Sequence, residues 1–446
     1  MKRGVHQTKS RLPPMFRALR HRNYRLFFSG QIVSLVGTWM QSIAQAWLVY
    51  RLTGSSFLLG LVGFAGQIPV FLLAPVGGMV ADRYSRHRIV VVTQTAAMAL
   101  AFILAAITLL EHIQVWQIML LAVLLGFVNA FEVPARQAFV VEMVSPDDLI
   151  NAIALNSSMV NSARILGPAI AGVMVAAIGE GWCFFVNGVS YVAVIAGLLM
   201  IVVSPRERAR QAASGLESIK EGFRFVLRTG PIRALLLLLG LVSVTGMPYS
   251  VLMPIFAGTV LHSGAQGLGW LMGASGIGAL AGTLALAARR QIRGLGRWIT
   301  YAAAGFGGSM IVFSFSRSFP LSVALLVPVG FSMMLEMASS NTLIQTMVPD
   351  ELRGRVMAFY SMMLMGMAPF GALVAGSVAN RIGAPTTVAL GGIVCLGGAI
   401  VFGLRWPHLR GEARQLVLAQ AMLSGEPPEE ITGQQFRLRQ GETPDQ

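Results

Sequence analysis

Charge is scarce in this chain. Lys, Arg, Asp and Glu make up 12% of its 446 residues, whereas a soluble globular protein carries roughly 25%. That composition excludes a soluble enzyme, a disordered scaffold and a secreted disulfide domain. Cysteine is scarcer still. Cys183 and Cys395 stand far apart in apolar runs, which excludes a disulfide framework or a cysteine metal cluster. The six histidines are scattered, and there is no Walker loop and no carboxylate pair at metal spacing. No cofactor, metal or enzymatic activity is expected. Gly273–Gly278 has the outline of a dinucleotide loop but lies inside an apolar run, where its glycines serve packing. No cleavable signal core is visible, because the first 22 residues are basic and polar and a full-length apolar run follows.

Apolar residues are abundant, at 55%. One membrane-spanning helix needs about 20 of them, so the chain holds material for about ten to twelve spans. Read against their polar punctuation, the runs give twelve candidate helices at 24–50, 57–81, 89–110, 115–131, 151–178, 182–203, 234–261, 267–288, 298–315, 321–344, 356–379 and 386–404. The expected organisation is a polar segment 1–22, a six-helix bundle 23–203, a basic loop 204–233, a second bundle 234–405 and a polar, mobile tail 406–446. The net charge of +15 would suggest nucleic acid in a soluble protein, but here the basic residues follow the loops. The first segment, Arg83/Arg86/Arg88, Arg136, the central loop, Arg289–Arg297 and Arg353/Arg355 fall on one side, against Arg51, Arg317 and Arg381 on the other. That asymmetry places both termini in the cytoplasm of a multi-pass protein and leaves no nucleic-acid surface.

The two halves repeat each other. Ser145-Pro146-Asp147-Asp148-Leu149 returns as Val348-Pro349-Asp350-Glu351-Leu352, Gly172 and Gly179 as Gly376 and Gly383, and Glu132 as Glu336. Parallel six-helix repeats are a transporter plan with a central cavity between the halves.

Gly78-Met-Val-Ala-Asp82-Arg83-Tyr-Ser-Arg86-His-Arg88 closely resembles the G-x-x-x-D-R-x-G-R-R signature of the major facilitator superfamily, with Ser85 in a glycine position. An ordinary basic loop is the plain alternative. Phe131-Glu132-Val133-Pro134-Ala135-Arg136 and Asp350-Glu351-Leu352-Arg353-Gly354-Arg355 resemble the transmembrane secretion effector branch, which includes the enterobactin exporter and macrolide-efflux proteins. The resemblance runs from about residue 16 to 404. Arg164, Gly167, Pro168 and Gly172 resemble the antiporter motif of drug exporters, with Ala163 and Ala171 replacing two glycines. In proton-coupled drug exporters the fourth span carries an arginine, and here that position is Ala122.

The resemblance implies an all-α membrane protein of twelve helices with the major facilitator fold, in a bacterial cytoplasmic membrane. It implies a monomeric proton antiporter that exports a small amphipathic molecule of the drug, macrolide or siderophore class. An importer or lipid translocator on this fold, or a non-transporting sensor, are the alternatives. Gly78, Asp82, Arg83, Arg86 and Arg88 are the expected conformational switch, and Arg164, Gly167, Pro168 and Gly172 the bent helix.

Charges within a membrane cost at least ~2.5–3.5 kcal/mol and mark pathways or gates. Glu132, Arg136 and Glu336 are therefore proton or gating candidates, with Arg164 expected to tune Glu132 or to meet an anionic substrate. Ser34, Thr38, Gln41 and Gln45 share one helix face, read as a cavity lining, with helix–helix hydrogen bonding as the alternative.

Overall fold

The computed structural model describes residues 14–202, 215–289 and 294–424. The ends of segments 1–22 and 406–446, and much of the basic central loop, lie outside the described residues, as do Arg206, Arg208, Arg210, Arg290 and Arg293.

Twelve helices are long and apolar enough to cross a membrane. In chain order they are α1 Arg22–Thr53, α2 Ser56–Arg83, α3 Arg86–Leu109, α4 Val115–Met143, α5 Pro146–Ile178, α6 Glu180–Leu199, α7 Gly230–Val260, α8 Gly264–Ala287, α9 Leu295–Phe315, α10 Phe319–Met347, α11 Asp350–Ile382 and α12 Ala384–Gln420. No strand occurs among the described residues. A backbone inside a bilayer must satisfy its own hydrogen bonds, and only a helix does so within one segment.

Two boundaries depart from the sequence expectation. α4 does not stop at Phe131 but continues through Pro134 to Met143. Glu132 and Arg136 there are buried and half-buried and pair with each other rather than ending the helix. The segment after Trp406 is not mobile chain from its start, because α12 continues as helix to Ser424. Within the expected basic loop, a further helix, Gly215–Arg228, docks on α11 through a Glu221–Arg355 ion pair and Phe223 against Phe359 at 5.8 Å.

The halves α1–α6 and α7–α12 share one neighbour scheme: first helix against sixth, second against fourth, third against fourth and sixth. Across the halves α5 packs on α8 and α2 on α11. The repeated glycines Gly179 and Gly383 end α5 and α11 with φ of 87° and 83°. L-residues with a Cβ rarely take that conformation, which is why the repeat preserves glycine at both turns. Helices α7 and α11 each contain one wide turn, at Phe256–Val260 and Met362–Gly366. Such turns recur at functional sites. By span alternation, the basic loops gather at one end of the bundle, the Arg-rich end.

Candidate functional site

The interface between the halves is tight at the Arg-poor end. A Cβ at Gly172 of α5 would lie 2.9 Å from the Cα of Gly269 on α8, and one at Gly376 of α11 would lie 2.9 Å from the Cα of Gly60 on α2. The repeat has thus placed two glycine-to-glycine crossings symmetrically, and small residues at such crossings let backbones approach closely. Tyr50 Oη and Thr259 Oγ1 add a hydrogen bond of 2.8 Å across the same end. Gly167 fits against Trp39 of α1, where a Cβ would be 2.4 Å from the Trp39 Cβ. Helix α5 stays continuous through Pro168.

Toward the Arg-rich end the glycine contacts between the halves stop. The closest approaches of glycines to the opposite half reach Ile165–Gly276 and Phe71–Gly366 near mid-helix. The α5 face that meets α8 at Gly172 and Ile165 continues at helical spacing through Asn161, Ser157 and Ala154 to Ile150, which is 83% exposed. Polar groups left exposed at this depth line water rather than lipid. Ser157 and Asn161 were not among the expected site residues, although their spacing to Arg164 was visible in the sequence.

The switch segment lies open at the same end. Gly78 has no atom within 4 Å of a notional Cβ, while its neighbour Gly77 makes the close approach to Ala130 of α4. The close helix contact in this segment belongs to Gly77 and not to Gly78. Asp82 has a 77% exposed side chain and a 3.5 Å contact with Arg86, which also binds Glu142 of α4 at 3.0 Å. Arg83 and Arg88 are exposed. Ser85 has an ordinary φ of −64° and accepts a hydrogen bond from the Arg88 backbone as the N-cap of α3. A serine here supplies a cap that glycine would not.

The two repeat-related carboxylates differ sharply. Glu132 Oε1 accepts from Arg136 Nε at 2.7 Å and from Gln94 Nε2 at 3.2 Å. Glu336 is fully buried. Its Oε1 accepts only from Ser340 Oγ, at 3.3 Å, and its Oε2 has no partner among the described residues. The adjacent Ser339 Oγ is also without one. Tyr360 is near but donates to the Met337 carbonyl at 3.0 Å.

Arg164 does not adjoin Glu132, whose cationic partner is Arg136. Its guanidinium lies 5.4 Å from the centre of the Trp39 ring, and no carboxylate among the described residues is within ion-pair distance. The expected tuning of Glu132 by Arg164 is not the arrangement found. Cation–aromatic contact offsets part of the cost of a charge at this depth.

The α1 stripe is also placed differently. Gln41 accepts from Asn187 of α6 at 2.7 Å, Ser34 is 1% exposed, and Thr38 Oγ1 lies 3.4 Å from Tyr191 Oη. Gln41 and Thr38 join α1 to α6 as helix–helix hydrogen bonding, whereas Ser34 is simply buried and Gln45 half-buried. Asn187, Ser190 and Tyr191, the other side of that contact, carried no separate signal in an apolar span.

One further cluster was passed over. Asp148, fully buried at the start of α5, binds Arg20 at 2.7 Å, His21 at 2.8 Å and Arg17 at 3.4 Å. It anchors the short helix Pro14–Arg20. The sequence showed Asp148 only as part of the repeat. Among the described residues no cluster of three His, Cys, Asp or Glu is placed to hold a metal.

The arrangement is an interface between two helix bundles. The chain is similar over 383 residues, at 25% identity, to the staphyloferrin A transporter of Staphylococcus aureus, covering 85% of this chain and 95% of that one. It is 26% identical to the multidrug efflux pump Tap of Mycolicibacterium fortuitum over 79% of this chain and 88% of the pump. Its fold matches a bacterial homologue of the human lysosomal transporter Spinster, crystallised inward-facing and unoccupied, with a TM-score of 0.64 at 15% identity, covering 90% and 98% of the two chains. The family model for transmembrane secretion effectors matches residues 14–426. Fold, repeat and family model agree: this chain belongs to the transmembrane secretion effector family of major facilitator transporters.

Proposed function

We propose that this chain is a secondary exporter of small amphipathic molecules of the drug, macrolide or siderophore class, working as a monomer by proton antiport. The Arg-rich end faces the cytoplasm, following the positive-inside rule, and the membrane is the bacterial cytoplasmic membrane. The described arrangement is then the one that admits substrate from inside. The glycine crossings Gly172–Gly269 and Gly60–Gly376 seal the outer end. Gly78 and Asp82 are the surface that meets the opposite half when the inner end closes. Glu132 and Arg136 form a lasting gate pair.

The observation that carries the coupling is Glu336: a carboxylate fully enclosed in a membrane helix, with one weak hydrogen bond and no counter-charge among the described residues. Such a charge is costly in a bilayer, so it is carried only while a cation or a proton meets it. A site whose occupancy changes between two conformations is what coupling requires. One proton moving down the membrane potential supplies ~2.3 kcal/mol per 100 mV, enough for a roughly fiftyfold gradient.

Everted membrane vesicles test this with a panel of cationic, neutral and catecholate compounds, with and without an uncoupler. The wild type accumulates at least one class in an uncoupler-sensitive way. Glu336→Gln loses accumulation but retains downhill counterflow. Uncoupler-sensitive accumulation by Glu336→Gln would move the proton site elsewhere.

A further inference from the structure

Away from the interface between the halves, the first turns of α9 and the outer stretch of α12 enclose a cavity of about 870 Å³ at the Arg-rich end. Arg297, Arg410 and Arg414 line it on one side, and Tyr301, Ile400 and Leu404 on another. Gly296 lets the Trp406 ring pack against the start of α9 beside it, since a Cβ there would lie 1.9 Å from that ring. No carboxylate is among the lining residues. Arg297 and Arg410 enter no ion pair with another described residue. Glu412, the acid nearest in sequence, points the other way and accepts from the Gly230 backbone at 3.3 Å.

The two sides differ in depth. Tyr301, Ile400 and Leu404 are 72%, 53% and 71% exposed on the flank of a membrane bundle, so they face acyl chains. Arg297 stands one helical turn nearer the end than Tyr301, and Arg410 lies six residues beyond Leu404, about 9 Å along the helix. Guanidinium groups are thus held at the level of phosphates, above an apolar wall at the level of chains. Guanidinium binds phosphate through paired, charge-assisted hydrogen bonds, and basic pockets between helices on this side of a membrane suit anionic lipid headgroups. The volume lies within the range of about 300–1,000 Å³ that holds a drug-sized ligand. It therefore takes a headgroup, a glycerol unit and the upper part of the chains.

We propose that this cavity is a binding site for one anionic phospholipid, its phosphate held by Arg297 and Arg410 and its chains lying along Tyr301, Ile400 and Leu404. The site is independent of the transport cycle proposed above and stands whatever the exported compound is. A free phosphate meets the arginines but leaves the apolar wall exposed, so the lipid is the occupant.

The test uses the full-length protein in a neutral detergent, titrated with phosphatidylglycerol, phosphatidylcholine or soluble glycerol phosphate. Bound lipid is read by native mass spectrometry and the melting temperature by fluorescence. Phosphatidylglycerol binds at least tenfold more tightly than phosphatidylcholine and raises the melting temperature, and glycerol phosphate does neither. The double variant Arg297→Gln/Arg410→Gln loses at least tenfold in phosphatidylglycerol affinity with an unchanged lipid-free melting temperature. Leu404→Glu, which leaves both arginines in place, loses affinity as well. Equal binding of the two lipids, full affinity in the double variant, or glycerol phosphate binding as tightly as the lipid would each overturn the proposal.

Discussion

The two halves of this transporter carry a glutamate at the same place in the same helix of the repeat, and they treat it differently. In the first half the residue one turn on is Arg136, and Glu132 is bound at 2.7 Å. In the second half the residue one turn on is Ser340, and Glu336 keeps one oxygen without a partner. A single position separates an ion pair from an enclosed carboxylate with no counter-charge among the described residues. Duplication supplied two equivalent carboxylates, and divergence at the neighbouring position gave each its own electrostatics. The same contrast appears at the start of α5 and α11. Asp148 is buried beneath Arg17, Arg20 and His21, whereas its counterpart Glu351 is exposed. The crossings of α5 on α8 and α11 on α2 remain alike, each bringing two glycines together with a notional Cβ 2.9 Å from the facing Cα.

Making the halves alike at their glutamates is expected to have the largest effect. Ser340→Arg gives Glu336 the partner that Glu132 has, and should lower uphill transport at least a hundredfold while downhill counterflow persists. Vesicle uptake against pH measures it. Retained, pH-dependent pumping would show that the difference between the glutamates is not what couples transport.

The next test concerns what the halves share. Gly172→Leu and Gly376→Leu each push a side chain into the backbone of the opposite half, so each should cut transport about tenfold by preventing closure at the Arg-poor end. Thiol labelling of a cysteine placed at Thr259 reports that closure. The native Cys183 and Cys395 are both fully buried and give little background. If only one of the two variants opens that end, the crossings are not equivalent.

The smallest effect separates the helix starts. Asp148→Asn should cost about 1.5–3 kcal/mol, the worth of a hydrogen bond to a charged group. Glu351→Gln, on an exposed residue, should stay within about 0.5 kcal/mol. Melting temperatures in one detergent compare them, and equal shifts would remove the distinction.

The sequence by itself determined the twelve helices, the halves, the uneven distribution of charge and the family. Each rests on composition along the chain, and the bilayer's demand for long apolar helices makes that composition readable. The Glu132–Arg136 pair was also legible, since four residues along a helix make neighbours. Tertiary structure alone decided which way each helix turns. It set Thr38 and Gln41 against α6, gave Gly77 rather than Gly78 the contact with α4, kept Arg164 from Glu132 and closed a pocket of arginines around the end of α12. In water the polar face of a helix announces its orientation. In a bilayer the lipid-facing and protein-facing sides are both apolar, so rotation is fixed by packing between helices far apart in sequence.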